Sequence, residues 1–278
     1  MRRYFKELIS NNRWLKFVPT FLTICNSLCG FAAILYTLHV YERMWQPEPV
    51  LRICAYIILA AMIFDALDGF AARIFNAASM HGMEMDSLAD MVTFGVAPAV
   101  IVAVMGHHLR EQLKPIDYYV VWVLCGVYIG CAAMRLATYN IYALFPEKKK
   151  HKHDGFSGLP TPGAAAGICS LVIYYCMKEG ELKQIINILP FYAGFLGLMM
   201  VSTVRYIHIG KWIQSVRKSK IRLAILIICL VSLAIWKEFA AVVLINFYIF
   251  TGPIIEIFLR IKEKRHRDAM MKAEIGGA

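Results

Sequence analysis

Charge is scarce in this chain. Only 18% of its 278 residues are Asp, Glu, Lys or Arg, against roughly a quarter in soluble domains, while 59% are apolar. With a mean hydropathy of +0.56, that shortage excludes an ordinary soluble domain. Acid is scarcer than base, 19 Asp and Glu against 30 Lys and Arg. The eight cysteines form no Cys-x-x-Cys pair and all fall within apolar segments. That pattern argues against a zinc site or a disulfide framework and reads them as small buried hydrophobes. Residues 1–17, MRRYFKELISNNRWLKF, hold too many polar groups for a cleavable signal. Their interleaved basic and aromatic residues predict an interfacial amphipathic segment on the inner membrane surface.

Long hydrophobic runs are what the sequence does contain. Stretches able to cross a hydrocarbon core are drawn at 18–39, 50–75, 86–106, 118–140, 160–177, 187–207, 220–237 and 238–257. An all-α, multi-pass integral membrane protein is therefore expected, with Lys237 and Glu238 leaving almost no loop between the last two helices. If the N-terminus lies inside, the cytoplasmic segments collect 23 Lys and Arg and the opposite ones seven. The positive-inside rule then puts both termini in the cytoplasm. The formal charge of +11 reflects this asymmetry and attraction to anionic headgroups, with no nucleic acid implied.

One stretch breaks the apolar pattern: DALDGFAARIFNAASMHGMEMDSLAD, from Asp65 to Asp90. Asp65, Asp68, Gly69 and Ala72 recur at helical spacing on one stripe, and Gly82, Asp86 and Asp90 form a second. A turn between two antiparallel helices lets the stripes face each other at the cytoplasmic boundary. Four carboxylates there repel unless a highly charged cation lies between them, and oxygen-only ligands point to Mg2+ or Mn2+ first and Ca2+ second. Two metals among four carboxylates suit an in-line phosphoryl displacement, and Arg73 offers a fork for a diphosphate. Gly69 and Ala72 open a slot wide enough for a planar base, although small residues also serve tight helix packing.

The pattern Asp65-x2-Asp68-Gly69-x2-Ala72-Arg73-x8-Gly82-x3-Asp86-x3-Asp90 resembles, at every position, the signature of the CDP-alcohol phosphotransferase family. The resemblance implies a six-helix core, residues 18–207 here, usually in a homodimer. Residues 1–17 and 208–278 fall outside that core, the latter holding two additional transmembrane helices and a basic cytoplasmic tail. It further implies that Asp65, Asp68, Asp86 and Asp90 hold the divalent metal at the CDP diphosphate, with Asp90 also the general base. By the same resemblance Gly69 and Ala72 accommodate the cytidine, Arg73 meets the diphosphate, and Gly82 belongs to the same CDP-diacylglycerol site.

The acceptor must be sought elsewhere. FVPTFLTICNSLCGFAAI at 17–34, SLADMVTFGVAPA at 87–99, MRLATYN at 134–140 and FSGLPTPGAAAG at 156–167 resemble the corresponding segments of phosphatidylserine synthases. This implies transfer of a phosphatidyl group from CDP-diacylglycerol to L-serine with release of CMP, in membrane lipid. Thr138 stands where a second basic residue is expected. Arg135 can pair with the serine carboxylate or simply flank a helix end. Asn26, polar in an apolar helix, can donate to phosphate or join two helices. GLPTPG at 158–163 is either an anion-meeting helix start or a helix start only, and EKKKHKHDG at 147–155 reads as a headgroup-facing loop. Other acceptors remain open, glycerol phosphate or inositol phosphate among them. So does a transporter, although transport carboxylates usually lie at mid-bilayer in broken helices.

Overall fold

A computed structural model of the chain describes residues 13–42, 46–75, 79–108, 117–145, 158–177, 184–204, 206 and 220–276. Residues 1–12 of the expected interfacial segment and the loop at 147–155 lie outside the described residues, and of 262–274 only the helical backbone is described. Among the described residues every regular element is helical.

Helix α1 (Arg13–Thr37) passes into a short 3-10 turn, Leu38–Tyr41. Helix α2 (Pro47–Ile74) opens on a proline, which suits the first helical position because the N–H it lacks has no partner there. Helix α3 (Met80–Asp90) starts ahead of the apolar run at 86, because Ser79 caps it by accepting the N–H of Gly82 at 3.0 Å. The same rod continues through a π-helical turn, Met91–Val96, into α4 (Ala97–His108). Helix α5 (Tyr118–Leu144) is capped by Asp117, and α6 (Thr161–Met177) and α7 (Gln184–Val201) follow. Helix α8 (Lys220–Gly276) covers both of the last two expected helices. They meet at Lys237, whose backbone (φ 43°, ψ −114°) breaks the helix without a loop.

Among the described residues, six stretches are long and apolar enough to cross a membrane: Phe17–Tyr41, Pro47–Ile74, Met80–His107, Tyr118–Leu144, Gln184–Val201 and Val231–Phe258. Thr161–Met177 is a shorter apolar helix. The protein is a multi-pass membrane protein. It forms two compact units, one of Met1–Asp154 with Pro160–Val201 and the other of Gly155–Leu159 with Ser202–Ala278.

In the first unit, α1 packs on α2 and α3, α2 on α6, and α5 on α4 and α7. In lipid, with no hydrophobic force between helices, close approach of small residues takes over. A Cβ on Gly197 of α7 would sit 2.9 Å from Tyr128 Cα on α5, and one on Gly30 of α1 would sit 2.7 Å from Thr93 Cα in the π turn. Side-chain contacts sort the helix ends. Ser87 Oγ donates to Asn140 Oδ1 at 3.0 Å and Arg135 donates to Met200 O at 3.2 Å. The end of α2, the start of α3 and the ends of α5 and α7 therefore gather on one side, where the aspartates are.

Candidate metal centre

Near its end α2 presents Asp65 and Asp68, and α3 presents Asp86. One carboxylate oxygen from each lies within 4.8 Å of the others. Asp68 is buried, Asp65 and Asp86 are half-buried, and one oxygen of Asp86 is buried with no hydrogen-bond partner. No Lys or Arg among the described residues pairs with them. Two carboxylate charges at that distance repel by roughly 3 kcal/mol at an effective dielectric of about 20, so three together need a neutralising partner. An all-oxygen set with an unpartnered buried oxygen fits a hard divalent cation. Asp65, Asp68 and Asp86 are the residues that could hold it.

Asp90 is separate. Buried on α3, it accepts from Asn26 Nδ2 at 3.0 Å while its charge interacts with those of Asp65, Asp86 and Asp68. Asp68 is held in the same fashion, with Thr23 Oγ1 3.0 Å from its Oδ2. Thr23, Asn26 and Gly30 recur at i, i+3 and i+7, so one stripe of α1 steadies an acid on each of two other helices. Of the four aspartates that the resemblance implies as ligands, three bring an oxygen each within 4.8 Å of one another and the fourth, Asp90, accepts from an amide beside them.

The other expected site residues fall around this group. Gly69 is exposed, with nothing within 4 Å of where a Cβ would stand, so the surface beside Asp68 is open. Ala72 is half-buried. Arg73 is exposed and its Nε donates to Gly69 O at 2.9 Å. Gly82 sits in the first turn of α3, with its N–H on the Ser79 cap. Arg135, half-buried, donates to one of the last carbonyls of α7, groups that have no partner within their own helix.

Residues 16–196 match a family model described as CDP-alcohol phosphatidyltransferase, a span that contains every residue just placed. The chain belongs to that family. It is 35% identical over 162 residues to a CDP-diacylglycerol--serine O-phosphatidyltransferase of Saccharomyces cerevisiae, covering 58% of this chain and 54% of the relative. The protein of that name from Helicobacter pylori strain J99 is 31% identical over 215 residues, covering 74% of this chain and 81% of its own length. The one from Bacillus subtilis is 30% identical over 200 residues, covering 71% and 93%. The chain thus spans about half the length of the yeast relative and most of the two bacterial ones.

Several residues around the site went unread in the sequence. Thr23 carried a signal, since it lies one turn before Asn26 on the same stripe of an apolar helix. Thr93 and Tyr128 carried none that periodicity exposes. Their partners are backbone carbonyls, Asn26 O at 2.9 Å and Phe94 O at 2.7 Å, which only the fold reveals.

Proposed function

We propose that the protein is a CDP-diacylglycerol:serine O-phosphatidyltransferase acting at the cytoplasmic face of the membrane, with Mg2+ or Mn2+ as its cofactor and a homodimer as its assembly. The observation that carries this reading is the three-carboxylate cluster with its unpartnered Asp86 oxygen, beside a fourth buried acid and inside the matched family span. The serine assignment is supported by the activity that names the relatives in yeast and two bacteria. Family membership leaves the transporter reading without support.

In this reading Asp65, Asp68 and Asp86 hold the metal. A divalent cation bound there supplies positive charge against the CDP diphosphate as charge builds in the transition state. Arg73 reaches the same phosphates from the open side of α2, and Gly69 and Ala72 leave room for the cytidine. Asp90 takes the proton of the serine hydroxyl. A serine oxygen–phosphorus bond forms at the phosphorus that carries diacylglycerol, the phosphorus–oxygen bond to CMP breaks, and CMP leaves with its electron pair. Asn26 donates one amide N–H to Asp90 and belongs to the donor site beside that carboxylate. Arg135 orients the serine carboxylate. Residues 18–207 act as the catalytic core, with 1–17 as an interfacial segment and 208–278 as an appendage.

The test is CMP release by the purified protein from CDP-diacylglycerol with Mn2+, supplied in turn with serine, glycerol 3-phosphate, inositol phosphate and inositol. Serine is expected to support release at least tenfold faster than the others. A faster rate with another alcohol would replace serine as acceptor and leave the donor reading in place.

A further inference from the structure

The rod that carries Asp86 and Asp90 is not a continuous α-helix. Directly after Asp90 it widens into the π-helical turn Met91–Val96, where Ala97 donates its N–H to Val92 O, five residues back. The cause lies in the sequence. Pro98 has no N–H to give the carbonyl four residues before it, Phe94 O, and its ring crowds that oxygen. Such a carbonyl, buried inside a membrane-spanning unit, must find another donor. It finds the hydroxyl of Tyr128, a fully buried residue on α5, at 2.7 Å.

A second contact pins the other side of the same turn. Thr93 Oγ1 donates to Asn26 O at 2.9 Å, and Asn26 Nδ2 donates to Asp90 at 3.0 Å. Gly30 lets α1 come this close, since a Cβ there would stand 2.7 Å from Thr93 Cα. Asn26 is thus held by the turn and holds the acid that precedes it. A π turn inserts about one residue into the helical register, which rotates what lies before it by roughly 100° relative to what lies after. Helix α4 is fixed by its buried packing on α5 and α7, so the turn sets the direction in which Asp90 points.

We infer that Pro98, Thr93 and Tyr128 form a positioning device for Asp90: the proline opens the turn, and the two hydroxyls lock its register so that the carboxylate meets the acceptor hydroxyl. None of the three is a catalytic residue, and the inference rests on the reading of Asp90 as the base. A register error of this kind displaces a reacting group by an ångström or more, which costs on the order of 10- to 100-fold in turnover.

Three variants test it: Tyr128→Phe, Thr93→Val and Pro98→Ala. The first two remove one hydroxyl each. The third restores the N–H that lets the helix close to α, and a proline removed from a helix interior ordinarily raises stability. The readouts are kcat for CMP release, the donor KM, CDP binding in the presence of Mn2+ by calorimetry, and the thermal midpoint in detergent. Tyr128→Phe and Pro98→Ala are expected to lower kcat about tenfold or more; with Tyr128→Phe donor KM and CDP affinity stay within about threefold of the parent, whereas Pro98→Ala, which turns Asp86 together with Asp90, also weakens CDP binding. Thr93→Val should act in the same direction. Pro98→Ala should do so with an unchanged or higher midpoint, a combination that a merely structural role cannot give. If both Tyr128→Phe and Pro98→Ala keep kcat within twofold, the positioning role is overturned while the phosphotransfer reading stands. If the parent protein releases no CMP with any alcohol, the reading of Asp90 falls and this inference with it.

Discussion

At the scale of single residues, the proposed function divides the four aspartates into two jobs. Asp65, Asp68 and Asp86 converge on one point, and removing one charge from three ligands weakens the whole set. Asp68→Asn or Asp86→Asn should therefore abolish CMP release and raise the Mn2+ concentration needed for CDP binding, measured by calorimetry. Near-normal turnover in both variants would remove the metal assignment. Asp90→Asn should behave differently, lowering kcat roughly 100-fold, the usual scale for a lost general base, while CDP affinity stays near the parent value. Loss of CDP binding alongside turnover would make Asp90 a fourth ligand. That these carboxylates gather in one place was legible because charged groups in an apolar chain have few reasons to exist singly. Their hydrogen-bond partners were not, because Thr23 and Asn26 reach Asp68 and Asp90 from a helix 45 and 64 residues away in sequence.

At the scale of elements, helix positions followed from hydrophobic runs, and their ends did not. Helix α3 begins at Met80 because Ser79 caps it, although hydropathy falls through His81, Glu84 and Asp86. The rod bends its register at Met91–Val96 because of Pro98, and α7 stops at Val201, short of the expected 207. The proline was visible in the sequence, but where the freed carbonyl goes depends on Tyr128. The end of α7 also bears on Arg135, which donates to Met200 O. If Arg135 also grips serine, Arg135→Lys should raise the serine KM several-fold and leave the donor KM unchanged, since Lys keeps the charge and loses the fork. Unchanged serine kinetics with a lowered thermal midpoint would leave it as a tie between α5 and α7 alone. Where α5 crosses α7, the obstacle to a methyl group is backbone. Gly197→Ala should cost about 1–3 kcal/mol, read as a lower midpoint in detergent with kcat per folded molecule unchanged.

At the scale of the whole molecule, the excess of Lys and Arg on one set of loops gives the expected orientation, with N-terminus and aspartates on the cytoplasmic side. A single cysteine introduced at Asn140, in a background lacking the native cysteines, should be labelled by a membrane-impermeant maleimide in inside-out vesicles and protected in right-side-out ones. The reverse pattern would invert the protein. The most direct measurement is incorporation of labelled serine into lipid by the purified protein with CDP-diacylglycerol, before and after chelation of divalent metal. The prediction is labelled phosphatidylserine formed in step with CMP, lost on chelation and restored by Mn2+ or Mg2+. Serine incorporation that survives complete chelation, or CMP release with no labelled lipid, would contradict it.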